Sequence, residues 1–445
     1  MGNTDLTYQG NRSFRKCGVF KTWVQSAGSD PNPQFFCGLR TDALEVILPD
    51  GRQFLYDLEG RPLRNGSVNE YRFRGLSHNG TMARKRPLEV GGGFEKQALT
   101  SRQITELCRE SCQVARSVHA YIHAGHPIDG FPSSDLASLH PLLEVLAKAN
   151  RMTPARLEAQ GHRFLEIYRP ITVLPPDQYL AFVLQLTEGC PFNRCTFCNL
   201  YRDTPFLVKK PDTFAQHLKD AVAFHGDDLK RKTTIFLGQA NALGVPFKLL
   251  APLFEILRLS FEFPQPEQMV RPDWARGSTT RFLGLHSFID GFTGLRHGIQ
   301  EFQQMRTWGL RRVYLGLESG CQELLDWLDK PAPLPNMQHT LQNVVAAGLA
   351  VDPILLVGAG GAAFAKAHIK ESLDFLKQCR LPQGNRVYLS PMENPETGTY
   401  GERSRRDGIR PLTHEEIHEQ RQELVQELRA IGLQPVPYRV QPFAY

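Results

Sequence analysis

Between Phe35 and Arg84 apolar and polar residues alternate over short stretches broken by turn formers, as in ALEVILPDGRQFLYDLEGRPL. Asp50-Gly51 and Glu59-Gly60 separate the apolar runs, so the pattern predicts β-hairpins and a small β-rich N-terminal module over residues 1–90. The following stretch, RKRPLEVGGGFEKQ, with glycines at 91 to 93, reads as a linker. From about Leu99 to Tyr168 the period changes to three and four residues (ITELCRESCQVARSVHAYIHAG, then LASLHPLLEVLAKA). A helical segment over 91–178, stopped by LPPDQY, is therefore expected.

After Leu180 buried strand-like runs alternate with helical stretches: AFVLQLT, TTIFLGQ, TRFLGLH, RVYLGLES, DPILLVGAG and RVYLSPM. Each but the last is followed by a segment able to form a crossover helix. This is the spacing of repeated βα units around a parallel sheet, so residues 179–400 are expected to form an α/β core, a partial (β/α)6 to complete barrel. In such sheets chemistry gathers at the C-terminal ends of the strands. In the tail, 401–445, Thr413 and Glu416 have the capping-box spacing and open a charged amphipathic helix.

Composition narrows the class. With 445 residues, 41% hydrophobic and 22% charged, the chain is globular and long enough for two or three packing units. No run approaches the roughly 18 apolar residues of a membrane span, and MGNTDLTYQGNRSFRK lacks the order of a secretory signal, so a cytoplasmic protein without a membrane partner is expected. Leu6 stands where a myristoylation site after Gly2 needs Ser or Thr. The net charge of +6 is mild and its densest places are ARKRP and ERSRR, which leaves nucleic acid open as a partner without requiring it.

Nine cysteines form no evenly spaced disulfide pattern, and three of them sit in LTEGCPFNRCTFCNLYRD, directly after the first predicted strand. Cys190, Cys195 and Cys198 are separated by four and then two residues. Soft thiolates in a reducing compartment select an iron-sulfur cluster or zinc. Four irons held by three thiolates leave one iron open to a small molecule; a zinc site would need a fourth ligand, for which His217 and Cys321 are available.

The segment resembles the motif of radical S-adenosylmethionine (radical SAM) enzymes, whose usual pattern is Cys, three residues, Cys, two residues, Cys, with an aromatic in the last gap. Here Phe197 fills that place, and the first gap is one residue longer. A subset of the superfamily shares the longer gap in a GC-x-x-N-x-C-x-F-C stretch, matched by Gly189, Asn193 and Phe197. The resemblance implies a radical SAM core in which Cys190, Cys195 and Cys198 hold one [4Fe-4S] cluster and S-adenosylmethionine chelates the open iron. An electron from a donor such as flavodoxin or ferredoxin would then yield a 5′-deoxyadenosyl radical, which abstracts hydrogen from a substrate the sequence does not name.

The same resemblance assigns further pieces. FLGQANAL, with Gly238, Gln239, Ala240 and Asn241, would lie by the methionine amino group. VYLGLESG is similar to the Gly-x-Glu-Ser-Gly stretch of the group that includes oxygen-independent coproporphyrinogen oxidase and Elongator-type enzymes, and gives Glu318 the ammonium or the ribose hydroxyls. LLVGAGG, with Gly358 and Gly360, would pack by adenine and ribose, and VYLSPM, with Ser390, would meet the adenine edge. Singly, these are also an ordinary turn, a helix N-terminal acid and a glycine loop without the Lys-Ser/Thr of a P-loop. Their order on consecutive strand ends joins them.

Tyr201, Arg202 and His286, the last placed at the end of the third predicted strand, are candidates for the substrate side, and Cys321 for hydrogen donation. Cys108 and Cys112 share a helix face and read as core. Segments for cobalamin binding, an RNA-binding β-barrel or an acetyltransferase are not recognisable. The rival functional class is an iron-sulfur or zinc protein that binds RNA or regulates without radical chemistry.

Overall fold

Turn residues build the first layer of the computed structural model, which describes residues 22–26, 34–85, 94–131, 139–268, 270–392, 395–438 and 445. Strands β1 (Thr22–Ser26), β2 (Phe36–Leu39), β3 (Leu44–Ile47), β4 (Gln53–Tyr56), β5 (Pro62–Gly66), β6 (Glu70–Arg74), β7 (Gly80–Lys85) and β8 (Phe94–Ala98) form an antiparallel meander. Gly51 and Gly60 turn its hairpins with φ of +82° and +77°. Part of the expected linker, residues 94–97, is strand β8, because its backbone pairs with β7; the glycines at 91 to 93 lie outside the described residues.

Helix α1 (Ser101–His123) starts at a capping box formed by Thr100 and Gln103. It is followed by β9 (Ile128–Phe131), α2 (His140–Asn150) and α3 (Pro154–Ile167). The strand β9 interrupts the expected helical stretch. It pairs with β1 at the edge of the first sheet, a long-range contact that local periodicity does not encode.

Strand β10 (Phe182–Gln185) opens the second sheet, and the two-residue strands β11 (Thr187–Glu188) and β12 (Leu207–Val208) form a ribbon beside it. Then α4 (Pro211–His225), β13 (Ile235–Gly238), α5 (Phe247–Ser260), β14 (Leu285–Ile289), α6 (Ile299–Thr307) and β15 (Leu310–Glu318) alternate. They continue through α7 (Gln322–Trp327), α8 (Leu334–Ala346), β16 (Ala350–Val357), α9 (Gly361–Cys379) and β17 (Arg386–Pro391). Last come α10 (Gly398–Arg406), α11 (His414–Ala430) and β18 (Gln434–Pro437). The order β10-β13-β14-β15-β16-β17-β18 is parallel at every pairing. The fold is thus an open, parallel α/β sheet of the partial-barrel kind with a β-rich N-terminal layer and helices before it.

Two details depart from expectation. The third strand begins at Leu285, not near Thr280, because Ile235 pairs with Leu285 and a Cβ on Gly284 would lie 2.2 Å from Arg311 Cγ. A seventh strand, β18, follows helices α10 and α11 where none was expected; its Pro435 and Pro437 argue against a strand in sequence but are tolerated at a sheet edge. The tail helix does start at the capping box of Thr413 and Glu416. Among the described residues no helix is long and apolar enough to cross a membrane.

The N-terminal ends of the parallel strands are closed by charge. Asp177 accepts hydrogen bonds from the hydroxyls of Tyr314 and Tyr388, each at 2.9 Å, and Arg386 bridges Asp177 and Asp352 at 3.1 Å. Between the two sheets lies a second group. Arg61 of the N-terminal layer meets Asp57 at 2.5 Å, and Asp228 before β13 meets Arg231 at 2.5 Å, all four nearly or fully buried. Burial alone would raise the Asp228 carboxyl, but Arg231, Lys232, His225 and Arg61 together hold it well below the ordinary 3.8.

Removing that charge leaves the buried Arg231 and Lys232 without their carboxylate and Arg61 with Asp57 alone, so Asp228→Asn is expected to lose about 3–5 kcal/mol of stability in urea unfolding followed by circular dichroism. Since the folded pKa is depressed, the carboxylate's contribution is complete above the unfolded value and is lost only as the pH falls below about 3.8. Burial pulls the neighbouring Lys232 ammonium down to about 7, so it is charged at pH 6 and largely neutral at pH 8, and the deficit should be larger at pH 6 than at pH 8; a loss under about 1 kcal/mol at pH 6 would show that the cluster does not hold the layers together.

Candidate functional site

The three cysteines lie on the loop between β10 and α4, at the C-terminal end of the first parallel strand. All three are partly exposed, and the eight described cysteines are free thiols; Cys17 lies outside the described residues. The loop enters through Gly189 at φ +69°, where a Cβ would sit 2.5 Å from the Thr204 carbonyl oxygen. Asn193, inside the longer first gap, takes the left-handed conformation at φ +50°, which asparagine tolerates better than most residues. Its side chain donates to the Tyr201 carbonyl at 2.6 Å, and its N–H approaches Cys190 Sγ at 3.4 Å.

Arg202 ties this loop from behind. Its Nη1 donates to the Asn193 carbonyl at 2.6 Å, Nη2 to that of Cys195 at 2.7 Å and Nε to that of Cys198 at 3.1 Å. The planar fork of arginine matches three converging carbonyls, which lysine would not. Arg202 thereby acts as a scaffold for the cysteine loop. Tyr201 is likewise buried beneath the loop.

From the end of β15 Glu318 turns into the site with φ +60°, a conformation that costs a non-glycine residue energy and is retained where a side chain must be aimed. It accepts from Lys330 Nζ at 3.1 Å, and the pair is nearly buried, with the side chains 12% and 8% exposed. Lys330 also lies 6.0 Å from the centre of the Phe197 ring, between the cysteine motif and the strand ends. Desolvation opposes its charge, yet the fields of Glu318, Cys195 and Asp290 outweigh burial and raise its pKa. Burial pushes the Cys195 thiol up to about 12 against the pull of Lys330. Neither Lys330 nor Asp290 was visible in sequence: Lys330 stands in a loop with no motif, and Asp290 becomes a strand-end residue only once β14 is placed.

In the second loop of the site the amide side chains are held by protein partners. Gln239 Oε1 accepts from Gly189 N–H at 2.6 Å and its Nε2 donates to the Pro170 carbonyl at 3.1 Å. Asn241 donates to Thr293 Oγ1 at 2.6 Å and to Asp290, and accepts from Asp290 N–H at 3.1 Å. These amides staple neighbouring loops together. Gly238 and Ala240 contribute backbone only, and a Cβ on Gly238 would meet nothing closer than 3.8 Å, so packing does not require its glycine.

Gly358 and Gly360 follow β16 with φ of +88° and +75°, but their N–H groups already donate to Gln420 Oε1 and Tyr400 Oη. Ser390 is buried on β17. His286 is the second residue of β14, toward the closed end of the sheet, where burial pushes its ring down to about 3. It therefore does not reach the mouth. Cys321 is buried with Leu324, Leu356 and Met392 in an apolar cluster against which Phe197 packs.

Of the fourth ligands available to zinc, His217 is committed elsewhere: Nε2 accepts from Gln185 N–H at 3.0 Å and Nδ1 donates to the Ile167 carbonyl at 3.1 Å. Among the described residues no three His, Cys, Asp or Glu side chains gather as on a single ion. A cubic cluster makes a different demand, three thiolates spread over separate irons, and one clamped loop carrying three soft donors fits it.

No family model matches the chain, and no curated protein is similar to it at a significant level. Among solved structures it is similar to coproporphyrinogen III oxidase (HemN) from Escherichia coli, described as a radical SAM enzyme, with 12% identity, a TM-score of 0.39, and coverage of 60% of this chain and 55% of that one. It is also similar to the cobalamin-dependent S-adenosylmethionine radical enzyme OxsB (13%, TM-score 0.34), covering 66% of this chain and 35% of that one. For methylornithine synthase (PylB) the values are 14% and 0.34, with 58% and 72% covered. The chain thus spans about a third of OxsB and about half of HemN.

The clamp yields a prediction about metal retention. Arg202→Gln leaves three loop carbonyls without their donor and should release reconstituted iron to a chelator about 10- to 100-fold faster than the parent chain, with circular dichroism unchanged. Equal release rates would mean that the loop holds its shape without the guanidinium.

Proposed function

We propose that this chain is a radical SAM enzyme acting on a substrate not yet identified. The observation that carries the reading is a loop of three thiols, clamped at a parallel strand end, beside the buried pair formed by Glu318 at the end of β15 and Lys330 in the loop after α7. When bound, a [4Fe-4S] cluster with one open iron and S-adenosylmethionine would supply a 5′-deoxyadenosyl radical upon one-electron reduction by a donor such as flavodoxin or ferredoxin.

The chain's own residues divide the remaining work. Cys190, Cys195 and Cys198 are the thiolate donors, and Arg202 and Gly189 hold their loop. Glu318 and Lys330 offer opposite charges to a zwitterionic amino-acid group, with the bare backbone at Gly238 and Ala240 alongside. Phe197 and the apolar cluster around Cys321 keep water from one side of the site. The glycines 358 and 360 and Ser390 remain proposals for the nucleoside side through their carbonyls and surfaces, since the two glycine N–H groups are taken. Free thiols that bind iron require a reducing compartment, which supports a cytoplasmic location.

Anaerobic reconstitution with iron and sulfide, followed by dithionite and S-adenosylmethionine, tests this. The parent chain should turn brown and release 5′-deoxyadenosine, and Cys195→Ala should do neither. Iron and sulfide without nucleoside release would favour the regulatory or RNA-binding class, and colourless protein with bound zinc would favour a zinc site.

A further inference from the structure

A buried ion pair often stabilises a fold no more than well-packed apolar side chains of similar volume, so packing alone does not account for Glu318 and Lys330. Their position suggests what the charges are for. Lys330 Nζ lies 3.1 Å from Glu318 and 6.0 Å from the Phe197 ring, in the middle of the cysteine motif, and Cys195 and Asp290 feel its charge. With its side chain 8% exposed, it is poorly screened by solvent. Two other cations sit at this loop: Arg202 spends its donors on backbone carbonyls and Arg194 lies over the Phe192 ring at 4.7 Å, and both are exposed, so their fields are damped by water.

We infer that Lys330 sets the reduction potential of the iron-sulfur cluster, with Glu318 as the opposing charge that limits its effect. This deepens the proposed function and rests on it. Reduction adds one electron, and so one negative charge, to a cluster already carried by three thiolates. A buried ammonium nearby stabilises the reduced form more than the oxidised one and raises the potential, while a buried carboxylate lowers it. Asp290 belongs to the same balance, but Phe292 N–H, Thr293 N–H and the Thr293 hydroxyl already donate to it.

The test is an anaerobic redox titration of the reconstituted cluster, followed by the electron paramagnetic resonance of the reduced state, without S-adenosylmethionine. Lys330→Met should shift the midpoint to more negative potential, Lys330→Arg should restore it, and Glu318→Gln should shift it to more positive potential. Equal midpoints in the parent chain, Lys330→Met and Glu318→Gln, with iron and sulfide contents unchanged, would overturn the inference. Should Lys330→Met fail to fold or to keep its cluster, Glu318→Gln decides alone: a positive shift supports the inference and no shift or a negative one overturns it. Failure of the functional reading looks different: the parent chain itself would then take up no iron and sulfide, or would take them up and release no 5′-deoxyadenosine, whatever the variants' midpoints.

Discussion

Everything at this site follows from seven strands running in one direction. Parallel pairing sends each connecting segment back over a helix and delivers every strand-to-helix loop to the same edge. The cysteine loop after β10, the Gly238 loop after β13, Asp290 after β14 and Glu318 at the end of β15 are far apart in sequence and adjacent because of that constraint alone. The opposite edge is closed by Asp177, Asp352, Arg312 and Arg386, which neutralise one another among tyrosines. One end of the sheet is thereby filled and the other is left for chemistry.

The two ends solve the problem of buried charge differently. At the closed end each carboxylate is met by several donors, and the arrangement leaves little for a ligand to do. At the open end one ammonium and one carboxylate face each other beside three thiols, with Asp290 restrained by the loop it caps. Fields in such a place are strong because water is largely absent, so small changes in charge have chemical consequences. The N-terminal layer contributes to this indirectly, since Arg61 and Lys148 lock it against Asp228 and Asp227 below the sheet, away from the mouth.

Backbone conformation does as much as charge in shaping the loop. Gly189 and Asn193 occupy left-handed positions, and Glu318 pays for one as well. The arginine that follows the third cysteine by four residues then fastens the carbonyls that these turns expose. The four residues between Cys190 and Cys195 are thus turned by a single asparagine and fastened by a guanidinium behind them.

By itself the sequence determined the hairpins of the first layer, the alternation of strands and helices, the capped tail helix and the cluster of soft ligands, because each depends on local periodicity, turn chemistry or residue type. The place of Glu318 at a strand end was legible through its motif. Only the tertiary structure decided that β14 starts at Leu285, that a proline-bearing β18 closes the sheet edge, and that β9 joins the first layer, since those elements are fixed by partners distant in the chain. The same holds for Lys330, for the clamp made by Arg202 and for the stapling roles of Gln239 and Asn241. Which charge faces which thiol is a matter of three-dimensional proximity, and no one-dimensional pattern carries it.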